Sequence, residues 1–157
     1  MGVFYTDGSA HPNPGPGGFG VVEVIDGDKV LLAHTRQTQE ETTNNREELK
    51  AIVWVMLMEG QYYNSPKATP IVYSDSAYAV NTLNEWMFNW AKNGWVKSDN
   101  KIPENLDLIQ AYYDHYQKGF RIDLRKIKGH DGHKWNELAD KLATGKITPE
   151  EAKKNWQ

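Results

Sequence analysis

The change of hydrophobic period near residue 43 constrains this chain more than any other feature. Before it, residues 3–7, 19–26 and 30–38 alternate apolar and polar positions, the two-residue period of strands. Asp26, Gly27 and Asp28 supply the turn between the second and third runs, so the three runs predict an antiparallel meander. From Thr43 the period becomes helical: Leu49, Ile52, Val53, Met56 and Leu57 fall on one stripe, Thr43 or Asn44 can cap, and Gly60 closes the segment. Beyond it the chain alternates a strand (69–74), two helices (76–85 and 104–117), a strand (120–128) and a helix (135–144). A meander followed by alternating strands and helices predicts an α/β fold with one mixed sheet containing parallel members. In the tail, 145–157, Thr148 and Glu151 form a capping box with Pro149 at the first helical position, which predicts a short helix.

Composition narrows the chemistry. With 157 residues, 39% of them apolar and 25% charged, one domain with a real core is expected. The absence of Cys excludes disulfides, thiolate metal sites and cysteine nucleophiles, so any metal must be held by oxygen or imidazole. No apolar run is long enough to span a membrane and the N-terminus lacks the pattern of a signal peptide, giving the expectation of a cytoplasmic protein with no membrane partner. The net charge of −3 argues against a general polycation but leaves room for local basic patches.

Four acids stand out. Asp7 (YTDGSA) and Asp75 (YSDSAY) each end an apolar run, and if those strands are parallel neighbours both carboxylates emerge at the carboxyl edge of the sheet. Glu48 lies in the first turns of the helix after Thr43. Asp140 shares a helix face with Asn136, four residues earlier, while Leu138 and Leu142 occupy the core-facing side. Singly, acids on helices are most often solvated. Four that converge without basic partners repel one another unless cations lie between them, and an all-oxygen site suits Mg²⁺.

YTDGSA with the following NPGPGG, TTNNREEL, YSDSAY and KGHDGHKWNELAD, in this order, resemble type 1 ribonuclease H, over residues 3 to 144. The resemblance implies the ribonuclease H-like fold, with a five-stranded sheet in the order 3-2-1-4-5 flanked by helices. It also implies an endonuclease that cuts the RNA strand of RNA/DNA hybrids by a two-metal mechanism, leaving 5′-phosphate and 3′-hydroxyl ends. On this reading residues 1–144 form the catalytic domain, working as a monomer. Asp7, Glu48, Asp75 and Asp140 become the ligands of two Mg²⁺ ions, with Mn²⁺ as the alternative, and Asp7 bridges them. His130 becomes an assisting catalytic histidine and His133 a structural one. Glu47 falls where the family motif varies and reads as a solvated first-turn acid.

For the substrate, the resemblance places Gly8, Asn13, Thr43, Asn44, Arg46 and Asn136 near the nucleic acid, with the glycines after Asp7 allowing close backbone approach. The segment WMFNWAKNGWVKSDNKIP matches the family's basic protrusion, so Trp86, Trp90, Lys92, Lys97 and Lys101 are expected to grip the DNA strand; packing of the tryptophans is the competing expectation. Residues 118–134 carry a second basic excess. Ala77 stands where some relatives have a polar side chain that touches RNA. With no hybrid-binding domain before Met1, limited processivity is expected. Two other functions compete: a catalytically silent nucleic-acid-binding module of the same fold, and an integrase-like enzyme cutting DNA.

Overall fold

The computed structural model describes residues 2–127 and 133–155; His130 and Lys128 lie outside the described residues. Strands β1 (Val3–Ala10), β2 (Gly15–Ile25) and β3 (Lys29–Thr42) form the antiparallel meander. Its β2–β3 turn uses Asp26 and Gly27 at φ of 54° and 82°, left-handed values that Asp tolerates and Gly adopts without strain. All three strands outrun the alternation that announces them. Gly15, Gly17, Gly18 and Gly20 have no side chains to alternate, yet their backbones keep pairing with β1 and β3.

Helix α1 (Asn44–Glu59) begins where expected, with the Thr43 hydroxyl accepting from the Arg46 amide at 3.1 Å. Leu49, Ile52, Val53 and Met56 are buried, but Leu57 is exposed, contrary to the predicted stripe. The reason is that α1 packs on the sheet and also against α4 (Leu106–Gln117), so Ala51 and Val55 take the second buried flank and Leu57 points away from both. A small sheet pairs β4 (Gln61–Tyr62) with β6 (Phe120–Arg121), while β5 (Ile71–Ser74) and β7 (Asp123–Lys126) join the main sheet in parallel. The order β3-β2-β1-β5-β7 is the predicted 3-2-1-4-5 order, renumbered by two short strands. The expected strand 120–128 divides because its first residues pair with β4 and its later ones with β5.

The helix expected at 76–85 runs on to residue 92 as α2 (Ala77–Asn81), a π-helical segment (Thr82–Trp86) and α3 (Met87–Lys92). No Gly or Pro interrupts it before Gly94. On the other face of the sheet lie α5 (Lys134–Ala143) and α6 (Pro149–Asn155). The capping box forms reciprocally: the Glu151 amide donates to Thr148 Oγ1 at 3.1 Å and the Thr148 amide to Glu151 Oε1 at 3.0 Å. Ala152 of this tail is fully buried in the cluster that holds Trp135, Leu138 and Leu142. One core thus joins Phe4, Phe19 and Val21 to α1, and a second joins Val22 and Val24 to α5, which fixes a helix against each face of the β1–β2 ribbon. Among the described residues no helix is long and apolar enough to cross a membrane.

Candidate active site

Asp7 sits in the middle of β1, not at its end as the sequence suggests. The parallel pairing of β1 with β5 stops at Tyr5 and Tyr73, while the antiparallel pairing with β2 carries β1 on to Ala10. Asp7 therefore stands where the sheet loses one neighbour, and Asp75 follows the last residue of that neighbour. Glu48 comes from the first turns of α1. One carboxylate oxygen from each of Asp7, Glu48 and Asp75 lies within 4.8 Å of the other two. Asp140, from α5, reaches hydrogen-bonding distance of Asp7. The fold thus gathers all four predicted acids from four separate elements.

Two of the four acids are buried and two, Asp75 and Asp140, are half-buried. Asp7 and Glu48 are 9% and 6% exposed, and Glu48 Oε1 is buried with no hydrogen-bond partner. Burial, a hydrogen bond to Asp140 and the charge of Asp75 push Asp7 up to about 8, against an opposing hydrogen bond from Glu48. Burial, and then the charges of Asp7 and Asp75, hold Glu48 well above the usual carboxylate range. Ionised carboxylates are acceptors only, so their mutual contacts become hydrogen bonds only by taking up protons. Protons or cations must fill this cluster. Its all-oxygen donors, with a buried oxygen of Glu48 left over, fit a hard divalent ion.

Glu47 corrects the sequence reading. It is completely buried rather than solvated, accepting from Thr42 Oγ1 at 2.8 Å and pairing with Lys50 at 2.9 Å. A partner three residues on and a hydroxyl at the end of β3 make up for its lost hydration, a compensation that spacing alone does not reveal. Its neighbours tie the same corner together. Asn44 Oδ1 accepts from the Ala10 amide at 2.7 Å, and Asn13 Oδ1 accepts from the Asn44 amide at 3.1 Å. The Thr43 hydroxyl is engaged as the helix cap. Arg46 forms a two-pronged pair with Asp107, at 2.7 and 3.0 Å, linking α1 to α4. Asn136 is half-buried on α5 with its Oδ1 unpartnered. His133, exposed, precedes α5 with its ring 5.0 Å from that of Tyr5. Ala77 is the exposed first residue of α2.

The three tryptophans of the 86–103 segment divide between the two expected roles. Trp95 lies edge-on to Tyr113 at 5.1 Å and its amide donates to the Trp90 carbonyl at 2.7 Å, which pins the loop to α4. Trp90 packs against the main core from a half-buried position. Trp86 is 39% exposed, 6.2 Å from Trp90 between ring centres. Trp86, Trp90 and Lys97 line two adjoining clefts of about 270 and 350 Å³. Tyr78, Asn45 and Glu104 complete the first cleft and were not legible as site residues, because they come from three segments that only the fold brings together. Lys101 joins Lys97 through a turn in which the Lys97 amide donates to the Lys101 carbonyl at 2.9 Å, and Lys92 is exposed at the end of α3.

Residues 2–148 match the RNase H family model. The chain is 40% identical over 144 residues to the ribonuclease H of Caldanaerobacter subterraneus subsp. tengcongensis, covering 91% of this chain and 88% of that protein. It is also 40% identical over 149 residues to the ribonuclease H of a Jannaschia species, covering 94% and 91%. Among solved structures, the solution structure of the PFV RNase H domain superposes with a TM-score of 0.72 at 25% identity, over 90% of this chain and 91% of that one.

Proposed function

The chain belongs to the ribonuclease H family, as a type 1 ribonuclease H, and from that premise we propose that it is a metal-dependent endonuclease that hydrolyses the RNA strand of RNA/DNA hybrids to 5′-phosphate and 3′-hydroxyl ends. The observation that carries this is the buried carboxylate cluster with its unpartnered Glu48 oxygen. Asp7, Glu48, Asp75 and Asp140 would hold two Mg²⁺ ions, or Mn²⁺ in their place. Divalent cations held there would supply a nucleophilic water at neutral pH and stabilise the leaving oxygen of the phosphodiester. Asp7, in contact with Glu48 and Asp140, would be the central ligand, and residues 1–144 would carry the reaction. The protein acts as a cytoplasmic monomer. A silent binding module is disfavoured because four acids would repel phosphate for no return.

Around this centre, Asn13, Thr43, Asn44, Arg46 and Asn136 offer amide, hydroxyl and guanidinium donors to backbone and 2′-hydroxyl groups, the feature that separates RNA from DNA. Gly8 belongs to the same edge. Trp86 and Trp90 present ring faces to the DNA strand, with Lys92, Lys97 and Lys101 neutralising its phosphates. Trp86→Ala is expected to weaken hybrid binding at nearly unchanged Tm, whereas Trp90→Ala lowers both, as thermal unfolding and binding titrations on the two variants will measure. Replacing the three lysines together flattens the salt dependence of hybrid binding, since each phosphate contact contributes about −0.9 to the slope of log affinity against log salt. An unchanged slope would remove the protrusion from the interface.

In metal-free protein the acid cluster should destabilise the fold as pH rises from about 4 to 8. Asp7 keeps a proton in the folded state up to about 8 that the unfolded chain releases near 3.8, so its contribution to stability is full below about pH 4 and is lost between about 4 and 8. Mg²⁺ replaces that proton and is expected to raise Tm more at pH 8.5 than at pH 5.5. Equal shifts at both pH values would separate metal binding from these acids.

The reading itself is tested by incubating the protein with end-labelled RNA/DNA hybrid, duplex RNA and duplex DNA, each with Mg²⁺ or chelator. Cleavage is expected only of the RNA strand, only in the hybrid and only with metal. Cleavage of duplex DNA would favour the integrase-like alternative.

A further inference from the structure

We infer that Gly8 and Gly20 are positioning residues that set the spacing of the carboxylates, each by leaving out a Cβ so that one acid-bearing helix can lie directly on the strand beside Asp7. Gly8 follows Asp7 in the chain and Gly20 is its cross-strand partner on β2. Because Gly8 pairs with Phe19 and Gly20 with Asp7, the two face opposite sides of the β1–β2 ribbon. The helices lie on those two sides. A Cβ at Gly8 would meet the backbone of the Glu47–Glu48 peptide, with the Glu47 carbonyl oxygen at 2.5 Å. A Cβ at Gly20 would meet α5, with Leu142 Cβ at 2.7 Å, the Ala143 amide at 2.8 Å and the Ala139 carbonyl closer still.

The contacted atoms are what give the two glycines their meaning. Under Gly8 lies the peptide that carries Glu48, and over Gly20 lies the carbonyl of Ala139, the residue before Asp140. Real Cβ atoms essentially never approach closer than 3.0 Å, and here the opposing atoms are mostly helix backbone, which cannot swing aside as a long side chain can. Adding a methyl group at either glycine therefore moves a whole helix outward, carrying Glu48 or Asp140 away from Asp7. A flat Cβ-bearing residue next to Asp7 and another opposite it would leave the four acids too far apart to share a cation. This rests on the proposed metal role of those acids, but the glycine contacts themselves do not.

The test compares Gly8→Ala, Gly20→Ala and Gly60→Ala by calorimetric titration with Mn²⁺ and by thermal unfolding. Gly60 serves as the control: a Cβ there also crowds backbone, at the Met56 carbonyl, but at the far end of α1. Gly8→Ala and Gly20→Ala are expected to weaken Mn²⁺ binding by about tenfold to a hundredfold, the range found when groups that orient metal ligands are altered, while Gly60→Ala loses Tm without losing affinity. On the α5 side, adding Asp140→Glu to Gly20→Ala should recover part of the affinity, because the longer acid reaches back across the gap, whereas Asp140→Glu alone should weaken binding. Parent-like Mn²⁺ affinity in folded Gly8→Ala and Gly20→Ala would overturn the inference. So would failure of both variants to fold while Gly60→Ala folds, since the glycines would then serve the fold as a whole. If the parent protein itself bound no Mn²⁺, the proposed function would fail first, and that outcome is distinguishable because the variants would have no affinity to lose.

Discussion

Asp7→Asn is expected to abolish RNA cleavage, by about 10⁴-fold or more in kcat, while hybrid binding stays close to that of the parent. The scale is that of losing one member of a catalytic unit whose parts act together. Asp7 contacts both Glu48 and Asp140 and feels the charge of Asp75, so removing its charge affects the whole cluster. The variant has a second signature. An amide has no proton to lose, so in metal-free protein at pH 8.5 Asp7→Asn is expected to unfold at a higher temperature than the parent, whose Asp7 is partly ionised there. Loss of activity together with a gain in metal-free stability distinguishes a ligand under electrostatic strain from a residue needed for folding. Activity within tenfold of the parent would falsify the ligand role.

His130→Ala should slow turnover by about 10² to 10⁴ with KM nearly constant, the range for general acid–base assistance that acts after substrate is bound. The residue stands in KGHDGH, ten positions before Asp140, and imidazole titrates near the pH at which such assistance is needed. Steady-state kinetics on hybrid substrate measure both parameters. Full kcat in the variant would make His130 a bystander, and a variant as inactive as Asp7→Asn would place it among the essential groups. His133→Ala, by contrast, acts on stability through the lost contact with Tyr5.

Much of this architecture is legible in the sequence because it is written in periods. The alternation of β1 to β3 and the helical stripe of α1 give the meander and the crossover, and the Thr43 cap places Glu48 in the first turns of α1. What periods cannot convey is the part that depends on missing side chains and on distant partners. The glycines that extend β2 have no hydrophobic signal, and for that reason Asp7 reads as a strand end although β1 continues past it. Glu47 reads as solvated because its compensating partners, Thr42 and Lys50, are identified only by their geometry. The π segment at Thr82–Trp86 carries no local signature, so the sequence reading ends at Glu85 the helix that brings Trp86 and Trp90 together. The four acids were found because each belongs to a recognisable motif; Tyr78 and Glu104, which share the aromatic cleft, belong to none.

The central claim is that Asp7, Glu48, Asp75 and Asp140 together hold the divalent cations on which RNA cleavage depends. Crystals of the protein grown with RNA/DNA hybrid and soaked in Mn²⁺ test it by anomalous scattering. Two peaks are expected within coordination distance of these carboxylates, with Asp7 contributing oxygen to both. Strong Mn²⁺ peaks elsewhere on the protein, with none at this cluster in crystals that still cleave hybrid, would contradict the account.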